Sequence, residues 1–118
     1  MSEGFAPGDI LVFQIESGYG LMKVIGTDSD GPGTIWHVKA YRDLFMDIET
    51  ADIAAASPEN LTTEIPHTAL TDRAFESTQV SRISRENVAP DEAAAVNGWR
   101  ASTSGPTDRS VRLLLGLR

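Results

Sequence analysis

The chain has 118 residues, no cysteine and a formal net charge of −7, which sets one domain as the expectation and removes disulfides, thiolate metal sites and thiol catalysis. No apolar run approaches the roughly 20 residues that a membrane helix needs, and the acidic start Met1-Ser2-Glu3-Gly4 lacks the basic and apolar parts of a signal peptide, so a cytoplasmic protein is expected. Residues 1–72 carry three basic residues against twelve acids, and residues 73–118 carry seven arginines against five acids; the acidic body disfavours nucleic acid as a partner, and the arginines read as a solvated face.

Taken in order, Pro7-Gly8-Asp9 is a turn signal that launches the apolar run Ile10–Ile15, read as a strand. Glu16–Gly20 breaks it, and Leu21–Ile25 reads as a second strand. Gly26–Gly33 is dense in turn formers and is expected to be an exposed loop. Thr34–Tyr41, rich in β-branched and aromatic residues, is a third strand, so the opening is a β-meander. Leu44-Phe45-Met46 should still touch the core, and Asp52–Ala56 suits one helical turn. Leu61–Ile65 reads as a strand ended by Pro66, and Thr71 as the cap of a short helical turn. Gln79–Ile83 alternates strictly, as a half-buried edge strand does.

The strongest helix signal is late. Pro90 suits the first helical position, Asp91 and Glu92 suit its positive end, and Ala93-Ala94-Ala95 propagate it, with Trp99 packing it onto the rest. Residues 101–108 read as a flexible linker. Val111–Leu117 is an apolar tail, either an added strand or a segment that packs on a neighbouring chain as a swapped homodimer. Residues 1–100 thus form one small domain and 101–118 a linker and tail.

Gly18-Tyr19-Gly20 invites a phosphate-binding reading that its surroundings reject. A dinucleotide fingerprint needs a third glycine where Lys23 stands, and the segment that follows has strand rather than helix composition. The stretch is read as a hairpin connection, with Tyr19 at its tip or folded over the sheet edge. Asp28-Ser29-Asp30-Gly31 similarly fails as a calcium loop, because its first and last ligand positions are Gly26 and His37. It is read as a polar turn, and no metal or other cofactor is expected.

Gly8-Asp9-Ile10, Gly18-Tyr19-Gly20 and Lys23-Val24 together resemble the opening hairpin of SH3-like small β-barrels. The set is also similar to the start of some bacterial immunity proteins of polymorphic toxin systems and of uncharacterised bacterial proteins, whose pattern Trp36-His37-Val38-Lys39-x-Tyr41 and Val88-x-Pro90-Asp91-Glu92…Trp99 also fit. The likeness is best over residues 8–45 and looser over 75–100. It implies a fold and carries no catalytic residue. With the meander, it sets the expected class as mainly β (α+β): a five-stranded SH3-like small barrel or strongly bent antiparallel sheet with a C-terminal helix.

Candidate chemistry is sparse. The two histidines are His37 and His67. Alternation puts Trp36, Val38 and Ala40 on the core face, leaving His37 partly exposed on the other. His67 follows Pro66 in a loop and could pair with Glu64. No nucleophile elbow and no metal-ligand spacing accompany them. Aromatic residues near the hairpins are the better lead, since rigid rings give contact area at low entropy cost. Tyr19, Tyr41 and Phe45, with the acids Asp43 and Asp47, are the candidate contacts for a basic protein partner. Phe13, Trp36 and Trp99 are core. The expected function is a non-enzymatic protein-binding module, of which toxin neutralisation is one form. The alternative is a small enzyme or small-molecule-binding protein using His37 or His67.

Overall fold

The computed structural model describes residues 4–117, so the acidic start at residues 1–3 and the final Arg118 lie outside the described residues. The strands are β1 (Asp9–Ile15), β2 (Gly18–Asp30), β3 (Gly33–Phe45), β4 (Thr63–Leu70) and β5 (Val80–Arg85). The helices are α1 (Ile48–Ala55), α2 (Asp72–Ser77), α3 (Pro90–Arg100) and the single turn α4 (Val111–Leu114). The strands form one five-stranded antiparallel sheet in the order β4-β3-β2-β1-β5. β4 and β5 are its two edges, and no pairing joins them among the described residues. The mainly β class, the five strands and their antiparallel pairing hold; of the two expected forms, barrel or bent sheet, the sheet is not closed into a barrel.

This sheet is covered on both faces, and the strand sequences already carry that requirement. Ile10, Leu11, Val12 and Phe13 are consecutive and all buried. Successive side chains point to opposite faces, so such a run has no solvent side. Leu11, Phe13, Met22, Val24, Trp36 and Val38 form one core with Phe75 of α2 and Val111 of α4. Ile10, Val12, Leu21 and Tyr41 form a second core with Ala51 and Ala55 of α1. The tail therefore folds back as a helix on its own chain: Val111 is buried, and Leu114, Leu115 and Leu117 pack against the first core. Thr107, in the expected linker, bridges Leu70 of β4 in parallel.

The first core carries one polar anchor. Trp36 stacks on Phe75 with ring centroids 4.2 Å apart, and its Nε1 donates to Asp72 Oδ1 at 2.7 Å. Asp72 Oδ2 also accepts from the Thr34 N–H at 2.9 Å. Thr71 caps α2 as expected, its side chain accepting from the Ala74 N–H.

The glycine pair around Tyr19 lies within β2, since the two-residue turn is Glu16-Ser17. Its glycines are there for close approach. A Cβ on Gly20 would lie 2.6 Å from Phe13 Cζ, and one on Gly18 would collide with the Phe45 carbonyl. The expected loop at 26–33 is mostly strand: β2 and β3 pair out to Asp30 and Gly33, leaving Gly31-Pro32 as the turn. β4 likewise runs through Pro66. Val38 pairs with Thr68 and Ala40 with Ile65, so Pro66 and His67 together oppose Lys39 as a bulge. Proline is tolerated there because β4 is an edge and the bulge needs no ladder donor.

Helix α3 crosses the second face over β2 and β4. Its first turn is tied down by Glu92, which is 5% exposed. Glu92 Oε1 accepts from Lys23 Nζ at 2.8 Å and from the Ala89 N–H at 2.9 Å. Its Oε2 accepts from Lys39 Nζ at 2.9 Å. Lys23, 4% exposed, donates also to the Asn87 carbonyl. Burial pushes the Glu92 carboxyl up, but the hydrogen bonds from Lys23, Ala89 and Lys39 outweigh it and hold it below the usual range. Breaking a buried pair from one side leaves an uncompensated charge. Glu92→Ala should therefore cost about 3 kcal/mol, whereas Lys39→Met, at the more exposed end, should cost less than about 1 kcal/mol. Urea midpoints at constant slope check both values.

Candidate functional site

Two groupings stand out, both on elements that the second face organises. The first is a relay under the C-terminal half of α3. Pairing of Gly26 with His37 and Asp28 with Ile35 places Gly26, Asp28 and His37 on one face of the β2–β3 hairpin. Val96 of α3 sits over Gly26, where an added Cβ would lie 3.0 Å from Val96 Cγ1. This close approach brings Trp99 edge-on to His37, with ring centroids 4.9 Å apart.

His37 is fully buried, at 0% exposure, which corrects the expectation of a partly exposed strand residue. Its Nε2 lies 2.7 Å from Asp28 Oδ2, and its Nδ1 lies 2.9 Å from His67 Nε2. The two imidazoles stack at 5.1 Å. The bulge at Pro66-His67 is what re-aims His67 onto the sheet face. His67 does not meet Glu64, which instead accepts from Arg42 Nε at 2.7 Å. Arg100, in the last turn of α3, completes the group. Its Nε donates to Asp28 Oδ1 at 2.9 Å and to Oδ2 at 3.1 Å.

Donor and acceptor chemistry fixes the order of protons along this line. An ionised carboxylate only accepts, so the network assigns the proton of neutral His37 to Nε2. His37 Nδ1 is then an acceptor, and His67 Nε2 must donate to it. That leaves the lone pair of neutral His67 on Nδ1. Burial pushes the Asp28 carboxyl up, but hydrogen bonds from Arg100 and His37 hold it below its ordinary value. Burial pushes the His67 imidazole down, and the stacked His37 ring opposes a second charge beside it. The arrangement can pass a proton between His67 Nδ1 and the interior. Among the described residues no Ser or Thr hydroxyl is hydrogen-bonded to either histidine, and no group of three or more His, Cys, Asp or Glu is placed to hold a metal.

The second grouping lies where β3 runs into α1. Of the expected contact residues, Phe45 is half-buried against the second core, with Tyr19 beside it in the same cluster. Tyr41 is 2% exposed and belongs to that core, so it is not available to a partner. Burial, with the charges of Glu92 and Glu86, pushes its hydroxyl up to about 12. Tyr41 alternates with the first-core residues of β3, but α1 covers its face of the sheet as well. Asp43 Oδ1 accepts from the Thr62 N–H at 2.6 Å. Asp47 caps α1, accepting from the Thr50 N–H and hydroxyl, each at 2.7 Å, and these bonds hold its carboxyl below the ordinary value.

What the sequence reasoning missed is around them. Leu44, Met46, Ile48 and Ile53 are 46%, 90%, 48% and 75% exposed. Residues 43–60 contain five acids and no Lys, Arg or His. The sequence signal was the failure of Ile48–Ala55 to place its largest side chains on the buried stripe, which is made of Ala51 and Ala55 instead.

Compared with protein families, curated proteins and solved structures, the chain finds no match.

The lowered His67 value sets a sign for stability against pH. The unfolded imidazole takes its proton near pH 6.5, while the folded one resists until lower pH. Folding stability is therefore full above about pH 6.5 and falls as the pH drops from there towards the folded value. His67→Gln should flatten this limb. The fall below about pH 4.5, where Glu92 and Asp28 lose their native pairing, should persist in the variant. Urea midpoints between pH 8 and pH 4 read both limbs.

Proposed function

We propose that the protein is a non-enzymatic binding module that takes a basic protein partner on the segment joining β3 to α1. The observation that carries this reading is the coincidence of exposed Leu44, Met46, Ile48 and Ile53 with a run of acids that has no basic residue in it. A contiguous exposed apolar segment marks an interaction surface. Acids interleaved with it select a partner that is apolar and cationic, and raise the association rate by steering. Phe45 and Asp47 serve this surface from within it, one as a half-buried support and one as the α1 cap. Asp43 holds the β3 end to Thr62. Neutralisation of a basic toxin is the concrete form of the activity, in line with the immunity proteins that the opening hairpin resembles.

A second reading rests on the relay. Half-buried His67, backed by His37 and Asp28, offers a base at Nδ1 to a small polar molecule. This reading makes the protein a small enzyme or a small-molecule binder.

Met46, Asp52 and Ile53 are exposed and carry no fold-bearing contact in the cores. Met46→Lys/Asp52→Lys/Ile53→Lys should leave the urea midpoint within about 0.5 kcal/mol of wild type. Affinity capture from lysate of the source organism should retain a basic protein on wild type and lose it on this variant, and the association rate should fall steeply with salt. A partner held equally by the variant, or none captured by wild type, overturns the module. For the second reading, a thermal-shift screen of small polar compounds should give hits that His67→Gln abolishes. Hits unchanged in that variant, or none, remove it.

A further inference from the structure

The first-core side of the molecule carries a cleft that neither reading uses. It lies between α2 and α4, has a volume of about 550 Å³, and is lined by Arg73, Ser77, Asp108, Arg112, Leu113 and Leu117 among others. Its walls differ in character. Leu113 is 66% exposed, an unusual state for a leucine on a helix whose neighbours Val111, Leu114 and Leu115 join the core. Leu117, half-buried, continues the apolar strip.

The charged wall has donors to spare. Arg112 Nη2 donates to the Ser77 carbonyl at 3.0 Å, which anchors α4 to α2 and leaves the rest of that guanidinium unengaged among the described residues. Arg73 Nη1 stands 3.6 Å from Asp108 Oδ2, beyond hydrogen-bond reach. Asp108 is held elsewhere, its Oδ1 accepting from the Thr71 hydroxyl at 2.6 Å. Among the described residues the cleft thus presents two guanidinium groups, one carboxylate and an apolar strip.

We infer that this cleft is a binding site for a monocarboxylate with an apolar tail. A guanidinium presents paired N–H groups in the geometry of a carboxylate. The wall, with two arginines and one aspartate, is neutralised by a single negative charge. A second anionic group would meet Asp108. The strip of Leu113 and Leu117 takes the hydrocarbon, as small-molecule sites pair an apolar lining with a few fixed polar groups. A neutral amphiphile would use the strip and leave the arginines in water.

Hexanoate, hexanol and succinate separate these contributions. In a titration followed by methyl NMR, hexanoate should shift the Leu113 and Leu117 methyls saturably. Hexanol and succinate should bind at least about tenfold more weakly, the scale of one charge-assisted hydrogen bond. Arg73→Gln, at a side chain 84% exposed and outside both cores, should weaken hexanoate by a similar factor without altering the fold. Equal binding of hexanol reduces the site to an apolar patch. Unchanged affinity in Arg73→Gln, or no saturable shift of these methyls in the millimolar range, overturns the proposal.

Discussion

The Glu92 carboxylate sits in the first turn of α3 and accepts from Lys23, Lys39 and the Ala89 N–H at once. An ammonium as buried as that of Lys23 needs such a partner to offset its lost hydration. Lys23 lies mid-strand in β2, two residues from Leu21 of the second core and one from Val24 of the first. The pair therefore fixes where α3 begins relative to the sheet. The helix's eleven residues then set where it ends. Trp99 and Arg100 fall over the hairpin, against His37 and Asp28. The clamp at the other end of α3, with the Lys23 bond to the Asn87 carbonyl, thus helps to set the position from which Arg100 reaches Asp28.

The same economy governs the uneven charge. Three arginines of the second part return to acids of the first. Arg85 pairs with Asp9 at 2.7 Å, Arg82 approaches the same carboxylate, and Arg100 takes Asp28. Exposed ion pairs contribute little each, but Asp9 is fully buried, so its partner at Arg85 offsets a real desolvation penalty. These three arginines are intramolecular counter-ions that keep about half of their surface in solvent. One stretch is left out. Among the described residues Asp43, Asp47, Glu49, Asp52 and Glu59 have no ion pair. These five acids share their segment with the exposed Leu44, Met46, Ile48 and Ile53.

Much of the architecture was legible, and the misses have physical causes. All five strands and the helix at Pro90 follow from composition and from the turn and cap chemistry around them. Composition left the choice between barrel and bent sheet open, and the unbroken buried run Ile10–Phe13 shows two covered faces without telling whether the sheet closes. Tyr41 and His37 were misplaced, since both were assigned to a solvent face that α1 and α3 cover. Asp28 was hidden by the turn propensity of its neighbours, which long-range pairing with β3 overrides. His67 could not be joined to His37 from sequence. Their contact depends on a bulge whose only local mark is Pro66 on an edge strand.

The second face thus offers two surfaces with different electrostatic character, and pH separates them. The acids at β3–α1 are carboxylates, and Asp47 is held below its ordinary value by its capping bonds. Such a surface keeps its charge through the range where an imidazole titrates. The relay ends in an imidazole that burial disfavours charging, so it takes its proton below the ordinary imidazole value. A partner attracted by the acids is indifferent to the state of His67, and a ligand held by His67 Nδ1 is not. Binding that persists unchanged from neutral pH to mild acid belongs to the β3–α1 segment; binding that fails there belongs to the relay.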